Sequence, residues 1–215
     1  MTEYKIPRPL GNEDRTPLAV GTLIRDKRGV TYTIKNEEIG FGGSAIIYKA
    51  AREGSLRNFI LKECYPCSKK FNFIRENGIV RGENLEAEKY LAVVKENMSR
   101  ESQIGQLIAN ETGRTLAAWE SLQVDEIISD GETFSGAGSF FIVMEQATDG
   151  ENRGWFLKDL LAECSEPAQD DAPLRNGGNP APYVAACIIE ELLKSLRDIH
   201  NAGYIHGDIN DTNFF

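Results

Sequence analysis

The segment that most constrains this chain is Glu38-Ile39-Gly40-Phe41-Gly42-Gly43-Ser44-Ala45-Ile46-Ile47-Tyr48-Lys49-Ala50. A β-prone run enters three glycines within four positions and leaves through a second β-prone run. Glycine lets the backbone turn tightly and brings peptide N–H groups up to an anion. The second run narrows the choice further. Phosphate loops of the Walker and dinucleotide-binding kinds open a helix, whereas Ala45–Ala50 carries β-formers. An ordinary glycine hairpin also fits this cluster taken alone, so the flanking chain has to separate the two.

The flanks read as sheet. Gly21–Arg25 and Val30–Ile34 are short β-rich runs around the turn-forming Asp26-Lys27-Arg28-Gly29, which predicts a hairpin. Asn58-Phe59-Ile60-Leu61-Lys62-Glu63 is another strand, and its Lys62 lies fifteen residues past Ile47. Ahead of the sheet, residues 1–20 hold Pro7, Pro9 and Pro17 and read as an extended arm along the surface. Behind it, Phe71–Ile74 and Ile79-Val80 flank Glu76-Asn77-Gly78, which predicts a β-hairpin within residues 66–84.

Asn84 is placed to N-cap a helix running to about Asn110. Leu91, Val94, Met98, Ile104 and Ile108 recur at helical spacing and mark one apolar face. Glu101 falls on that stripe, and a carboxylate facing a core needs a cationic partner. Trp119–Ile128 then reads as one strand, Asp130-Gly131 as a turn, Glu132–Ser139 as a loop and Phe140–Glu145 as a further strand. Gly154–Leu161 reads as a short helix, and Cys164–Pro182, rich in Pro, Asp, Gly and Asn, as a mobile surface loop. Pro182 opens a helix over Tyr183–His200, with Ile188, Leu192, Leu196 and Ile199 on one face. Asn201-Ala202-Gly203 stops it with a glycine suited to a left-handed cap.

The chain ends in Tyr204-Ile205-His206-Gly207-Asp208-Ile209-Asn210-Asp211-Thr212-Asn213-Phe214-Phe215. Asp208 and Asn213 lie five residues apart in a polar turn between apolar flanks. A carboxylate there can take a proton from a hydroxyl nucleophile, and the carboxamide oxygen can reach a divalent cation, a pairing that phosphoryl transfer uses.

Composition excludes some partners. With 33 acidic and 24 basic residues the net charge is −9, which argues against nucleic acid or an anionic membrane. No apolar run approaches the roughly 18 residues of a membrane span, and Met1–Leu10 has no signal-peptide core. The expected location is cytoplasmic. Cys64 and Cys67 have C-x-x-C spacing, but no second such pair completes a zinc site, and Cys164 and Cys187 are isolated. Reduced, partly buried thiols are the expectation.

These motifs, in this order, resemble the protein-kinase fold over roughly residues 21–215. Gly40-Phe41-Gly42-Gly43-Ser44-Ala45-Ile46-Ile47 resembles the family's G-x-G-x-x-G-x-V loop, with Ala45 at the third glycine. Phe59-Ile60-Leu61-Lys62 resembles its V-A-I-K strand, and His206-Gly207-Asp208 through Asn213 resembles its H-R-D-x-x-x-x-N loop. The likeness is closest to bacterial Ser/Thr-type kinases. It implies an α+β fold: an antiparallel small lobe over 21–147, with a hairpin insertion at 66–84, and the helical start of a large lobe over 148–215. ATP and Mg2+ would be the cofactors and a Ser or Thr hydroxyl on a protein the acceptor. Ile39, Ile47, Ile60 and Met144 would surround the adenine, with the backbone of Glu145 and Ala147 bonding its edge. Gly40 to Ala45 and Lys62 would take the phosphates, Glu101 would pair with Lys62, Asp208 would be the base and Asn213 a magnesium ligand. Glu88 and Glu96 are the alternatives to Glu101.

Three departures qualify the resemblance. Gly207 stands where arginine is usual, and Asn210 where protein kinases carry a lysine that contacts the γ-phosphate. His206-Gly207-Asp208 also resembles the H-G-D signature of aminoglycoside and choline kinases, so a small-molecule kinase is one alternative and a non-catalytic pseudokinase module another. No D-F-G follows within the 215 residues. The expectation is a fragment of a longer kinase that binds nucleotide weakly and does not turn over.

Overall fold

The structure, a computed structural model, describes residues 15–35, 40–112, 120–146, 175–176, 179–180, 182–205 and 207. The chain divides into two compact units, Met1–Leu107 with Leu116–Gln146, and Ile108–Thr115 with Ala147–Phe215. Each is described by itself.

In the first unit, nine strands among the described residues form one antiparallel sheet. They are β1 (Leu23–Asp26), β2 (Thr31–Ile34), β3 (Gly40–Phe41), β4 (Ala45–Arg52) and β5 (Asn58–Cys64). After β6 (Phe73–Glu76) and β7 (Ile79–Gly82), which pair with each other, come β8 (Glu120–Leu122), β9 (Val124–Ser129), β10 (Glu132–Ser135) and β11 (Phe141–Glu145). The sheet order is β10-β9-β1-β2-β4-β5-β11-β8, with β3 on β4.

That order makes the sheet curl. β8 closes one end and β9 lies next to the other, yet only Gln123 separates them in the chain. Consecutive Cα atoms are about 3.8 Å apart, so the two ends of the sheet come together there. The Lys27 amide donates to the Gln123 carbonyl at 2.9 Å, and Arg28 pairs with Glu120, which fastens the join. The single strand expected over Trp119–Ile128 is thus corrected to two short strands, because curling lets one run change partners at Gln123. Glu132–Ser139 is also corrected. Its first half is β10, paired with β9 across a turn in which Asp130 and Gly131 have φ of +53° and +81°, the signature of a tight hairpin turn.

The interior of the curled sheet is a single hydrophobic core. Ile24, Tyr48, Leu61, Ile127 and Phe141 are wholly buried in it. The hairpin of β6 and β7 forms around Asn77-Gly78, both at positive φ, and Phe73, Ile79 and Val80 join the same core. The 66–84 segment therefore fills part of that interior. The N-terminal arm is not wholly on the surface as expected, since Arg15 and Leu18 are buried.

Helix α1 (Leu85–Thr112) starts as its sequence predicts. The Asn84 side-chain oxygen accepts from the Ala87 amide at 3.0 Å, and Glu86 and Glu88 occupy the first turn, where negative charge complements the helix dipole. Ala87, Leu91, Val94 and Met98 bury its inner face.

In the second unit, β12 (Arg175–Asn176) and β13 (Asn179–Pro180) form a two-residue ladder. This corrects part of the loop expected over Cys164–Pro182. Helix α2 (Pro182–Asn201) comes next. The Tyr204 amide reaches back to the Ile199 carbonyl and the Gly203 amide to that of His200. With Gly203 at φ +84°, this is a Schellman cap where the sequence places one. The short helix expected over Gly154–Leu161 lies outside the described residues.

Candidate functional site

Strand register sorts the candidate residues onto faces. Residues directly opposite one another in a sheet share a face, and neighbours along a strand alternate. Ile142, Lys62 and Ile47 form one row across β11, β5 and β4, and Met144, Ile60 and Lys49 form the next. Ile47, Ile60, Lys62 and Met144 thus lie on one face, while Phe59, Leu61 and Glu63 lie on the other. Ile47 and Ile60 are half-buried and Met144 is 9% exposed. An apolar floor of this kind suits a planar ring.

From the same face, Lys62 Nζ donates to Glu101 Oε1 at 2.8 Å. Glu101 is not on the buried stripe as its spacing suggests. Its side chain is 46% exposed, against 23% for that of Lys62, and the adjacent Ser102 takes the buried position. Helical spacing alone does not choose between positions 101 and 102. The outcome keeps the carboxylate hydrated and avoids the cost of burying it. Half-exposed pairs of this sort contribute at most about 1 kcal/mol to stability, so the pair orients the ammonium more than it stabilises the fold.

The glycine turn joins β3 to β4 beside this pair. The Gly42 amide donates to the Ala45 carbonyl at 2.9 Å. Three successive carbonyls accept bonds from elsewhere in the chain: Gly42 from Arg15 Nη1 at 2.9 Å, Gly43 from the Cys67 amide at 2.7 Å, and Ser44 from the Tyr65 amide at 3.2 Å. Because a trans peptide sets each C=O opposite the next N–H, the amides of Gly43 and Ser44 point away from these partners. Neither finds an acceptor among the described residues, and a Cβ on Gly43 would meet open space. Such donors fit a phosphate oxygen.

Several groups that support the site are not marked by any sequence motif. Glu63 is buried and receives a bidentate pair of bonds from Arg75, both at 2.7 Å, and a third from the Tyr48 hydroxyl at 2.6 Å. Burial by itself lowers the Arg75 pKa, but the Glu63 carboxylate outweighs it and the net shift is upward. Tyr48 is raised well above its ordinary value by burial and by the same carboxylate. Two-residue alternation in β5 does signal Glu63, since it puts a carboxylate on the Phe59 and Leu61 face. Nothing local names Arg75 or Arg15 as partners. Cys64 is buried, which pushes its thiol up to about 12 and leaves it a poor nucleophile at neutral pH. Among the described residues no group of three His, Cys, Asp or Glu gathers to hold a metal.

Ile39, Ala147, Asp208 and Asn213 lie outside the described residues, as does His206. Glu145 is described for its backbone, which pairs opposite Phe59. Among the described residues, no helix is long and apolar enough to cross a membrane.

Comparison with known proteins gives a fold. No family model and no curated protein sequence matches the chain. Among solved structures, the apo form of PpkA-294 matches with a TM-score of 0.62 at 18% identity, over 93% of this chain and 57% of that one. The kinase domain of Mycobacterium tuberculosis PknI, as a mutant, matches over 92% of this chain and 57% of its own at 17% identity and a TM-score of 0.44. The chain thus spans little more than half the length of the solved structures it resembles. Its fold is protein-kinase-like: a curled antiparallel sheet with helices, of the α+β class.

Proposed function

We propose that this chain carries the nucleotide-binding part of an ATP-dependent protein Ser/Thr kinase, acting in the cytoplasm, with residues 21–147 as small lobe and 148–215 as the start of the large lobe. The observation that carries the reading is the Lys62–Glu101 pair, which shares a sheet face with Ile47, Ile60 and Met144 beside loop amides that no described residue accepts from. In this reading the adenine lies on the apolar row, with the backbone of Glu145 and Ala147 at its edge. The Gly40–Ala45 turn, through its Gly43 and Ser44 amides, and the Lys62 ammonium hold the phosphates, and Glu101 keeps that ammonium aimed. ATP would supply the γ-phosphoryl group, and Asn213 would offer its carboxamide oxygen to Mg2+, whose charge would offset that of the phosphates. Asp208 takes the proton of the acceptor hydroxyl.

The test is thermal unfolding with and without millimolar Mg-ATP. A ligand of the native state at about a hundredfold over its Kd adds about 2.7 kcal/mol, and Lys62→Ala should abolish the shift. No shift in a folded wild-type chain would remove the binding claim. For catalysis, phosphate incorporation by a longer chain should vanish in Asp208→Asn. A pseudokinase would incorporate none in the first place.

One observation favours a small-molecule kinase as second reading. Gly207 has φ of +74°, a left-handed backbone that glycine adopts freely and arginine does not. This suits the H-G-D form better than H-R-D. Autophosphorylation by a longer chain supports a protein acceptor, and phosphorylation of an amino alcohol without it supports the second reading.

A further inference from the structure

Arg15 precedes every motif in the chain, yet it is 4% exposed. Its Nη1 donates both to the Gly42 carbonyl at 2.9 Å and to the Tyr65 carbonyl at 2.8 Å. Its guanidinium also lies 5.5 Å from the centre of the Phe41 ring, within range of a cation–π attraction. One buried cation therefore touches both Phe41 and Gly42 and ties them to the segment after β5. That segment completes the hold through the amides of Tyr65 and Cys67.

The arm is itself anchored. Arg75 Nε donates to the Thr16 carbonyl at 2.8 Å, and the Leu18 amide donates to the Tyr48 hydroxyl at 3.1 Å. Both anchors belong to the buried Glu63 network. A line of bonds thus runs from the 66–84 hairpin through Thr16 and Arg15 to the glycine turn. The turn is also held from outside the β3–β4 hairpin, on the side opposite the Gly43 and Ser44 amides.

We propose that Arg15 is a positioning residue for the glycine turn. It fixes the Gly42 peptide so that the next amides are arranged for phosphate before any ligand arrives. Holding such donors in place beforehand removes the ordering cost that binding otherwise carries. The consequence for nucleotide rests on the function proposed above. The consequence for the turn does not.

The experiment compares the wild-type chain with Arg15→Met, which keeps length and packing but removes every donor. First, amide exchange is followed without nucleotide at Gly42, Tyr65 and Cys67, whose hydrogen bonds the turn makes. Loss of the two charge-assisted bonds to the Gly42 and Tyr65 carbonyls predicts at least roughly tenfold faster exchange there, with Leu61 and Val143 in the sheet unchanged. Second, binding of Mg-ATP and of adenosine is measured. ATP should weaken about tenfold on the same grounds while adenosine, which has no phosphate, is unaffected, and Arg15→Lys should recover part of the ATP affinity. Wild-type exchange at Gly42, Tyr65 and Cys67 in Arg15→Met overturns the proposal, as does an equal loss of ATP and adenosine. Should the wild-type chain bind no ATP, the nucleotide reading fails and the exchange arm still decides the brace. Should Arg15→Met not fold, Arg15→Leu, which also carries no donor, is read by the same exchange criterion.

Discussion

Lys62 and Glu63 are neighbours in β5 whose side chains leave opposite faces, and each meets a counter-ion from a different element. Lys62 reaches Glu101 of α1 at 2.8 Å, and Glu63 reaches Arg75 of β6 at 2.7 Å. The first pair is half in water and the second is buried. Two ion pairs one residue apart therefore have different energetic meanings.

Glu101→Gln should leave stability within about 1 kcal/mol of wild type, because the pair is half-exposed. Mg-ATP affinity should fall about tenfold as the Lys62 ammonium loses its orientation. Urea unfolding and calorimetric titration check the two halves. A large loss of stability with unchanged ATP affinity would reverse the roles of the two ion pairs.

Arg75→Ala should cost about 3–5 kcal/mol, since it strands the buried Glu63 carboxylate. The double change Arg75→Met with Glu63→Leu should recover most of that loss, because no charge is then left buried without its partner. Urea midpoints of the single and double variants measure it.

Asp26 governs a pH-dependent part of the stability. Burial alone raises its pKa, but bonds from the Arg28 side chain and from the amides of Val30 and Arg28 outweigh it and hold the carboxyl below its ordinary 3.8. The folded pKa is the lower one, so the unfolded chain binds more protons on the way down. The contribution is complete above about pH 4 and is lost as pH falls through the folded value. Asp26→Asn should remove that part of the acid limb, as read by melting between pH 2 and 7.

Gly82→Ala should destabilise by about 1–3 kcal/mol through overpacking. A Cβ there would strike the Glu88 amide nitrogen and the Ala87 carbonyl carbon, both backbone at the start of α1. Thermal melting tests it against Gly131→Ala. That change has open space around its Cβ and carries only the strain of a positive φ.

Local pattern made much of this molecule legible. Asn77-Gly78 and Asp130-Gly131 specified their turns, and Asn84 and Gly203 bounded their helices, because each of these is settled by a few adjacent residues. The order of glycine turn, strand lysine and long helix pointed to the fold through its resemblance to protein kinases. Tertiary structure alone decided the rest. Whether Trp119–Ile128 is one strand or two depends on partners a hundred residues away at β1. Whether position 101 or 102 of α1 faces inward depends on what the sheet offers opposite them. Arg15 and Arg75 acquire meaning only once folding brings Gly42 and Glu63 to them, across separations of 27 and 12 residues. Backbone preference is short-ranged, whereas burial and ion pairing are set by whichever residues meet in space.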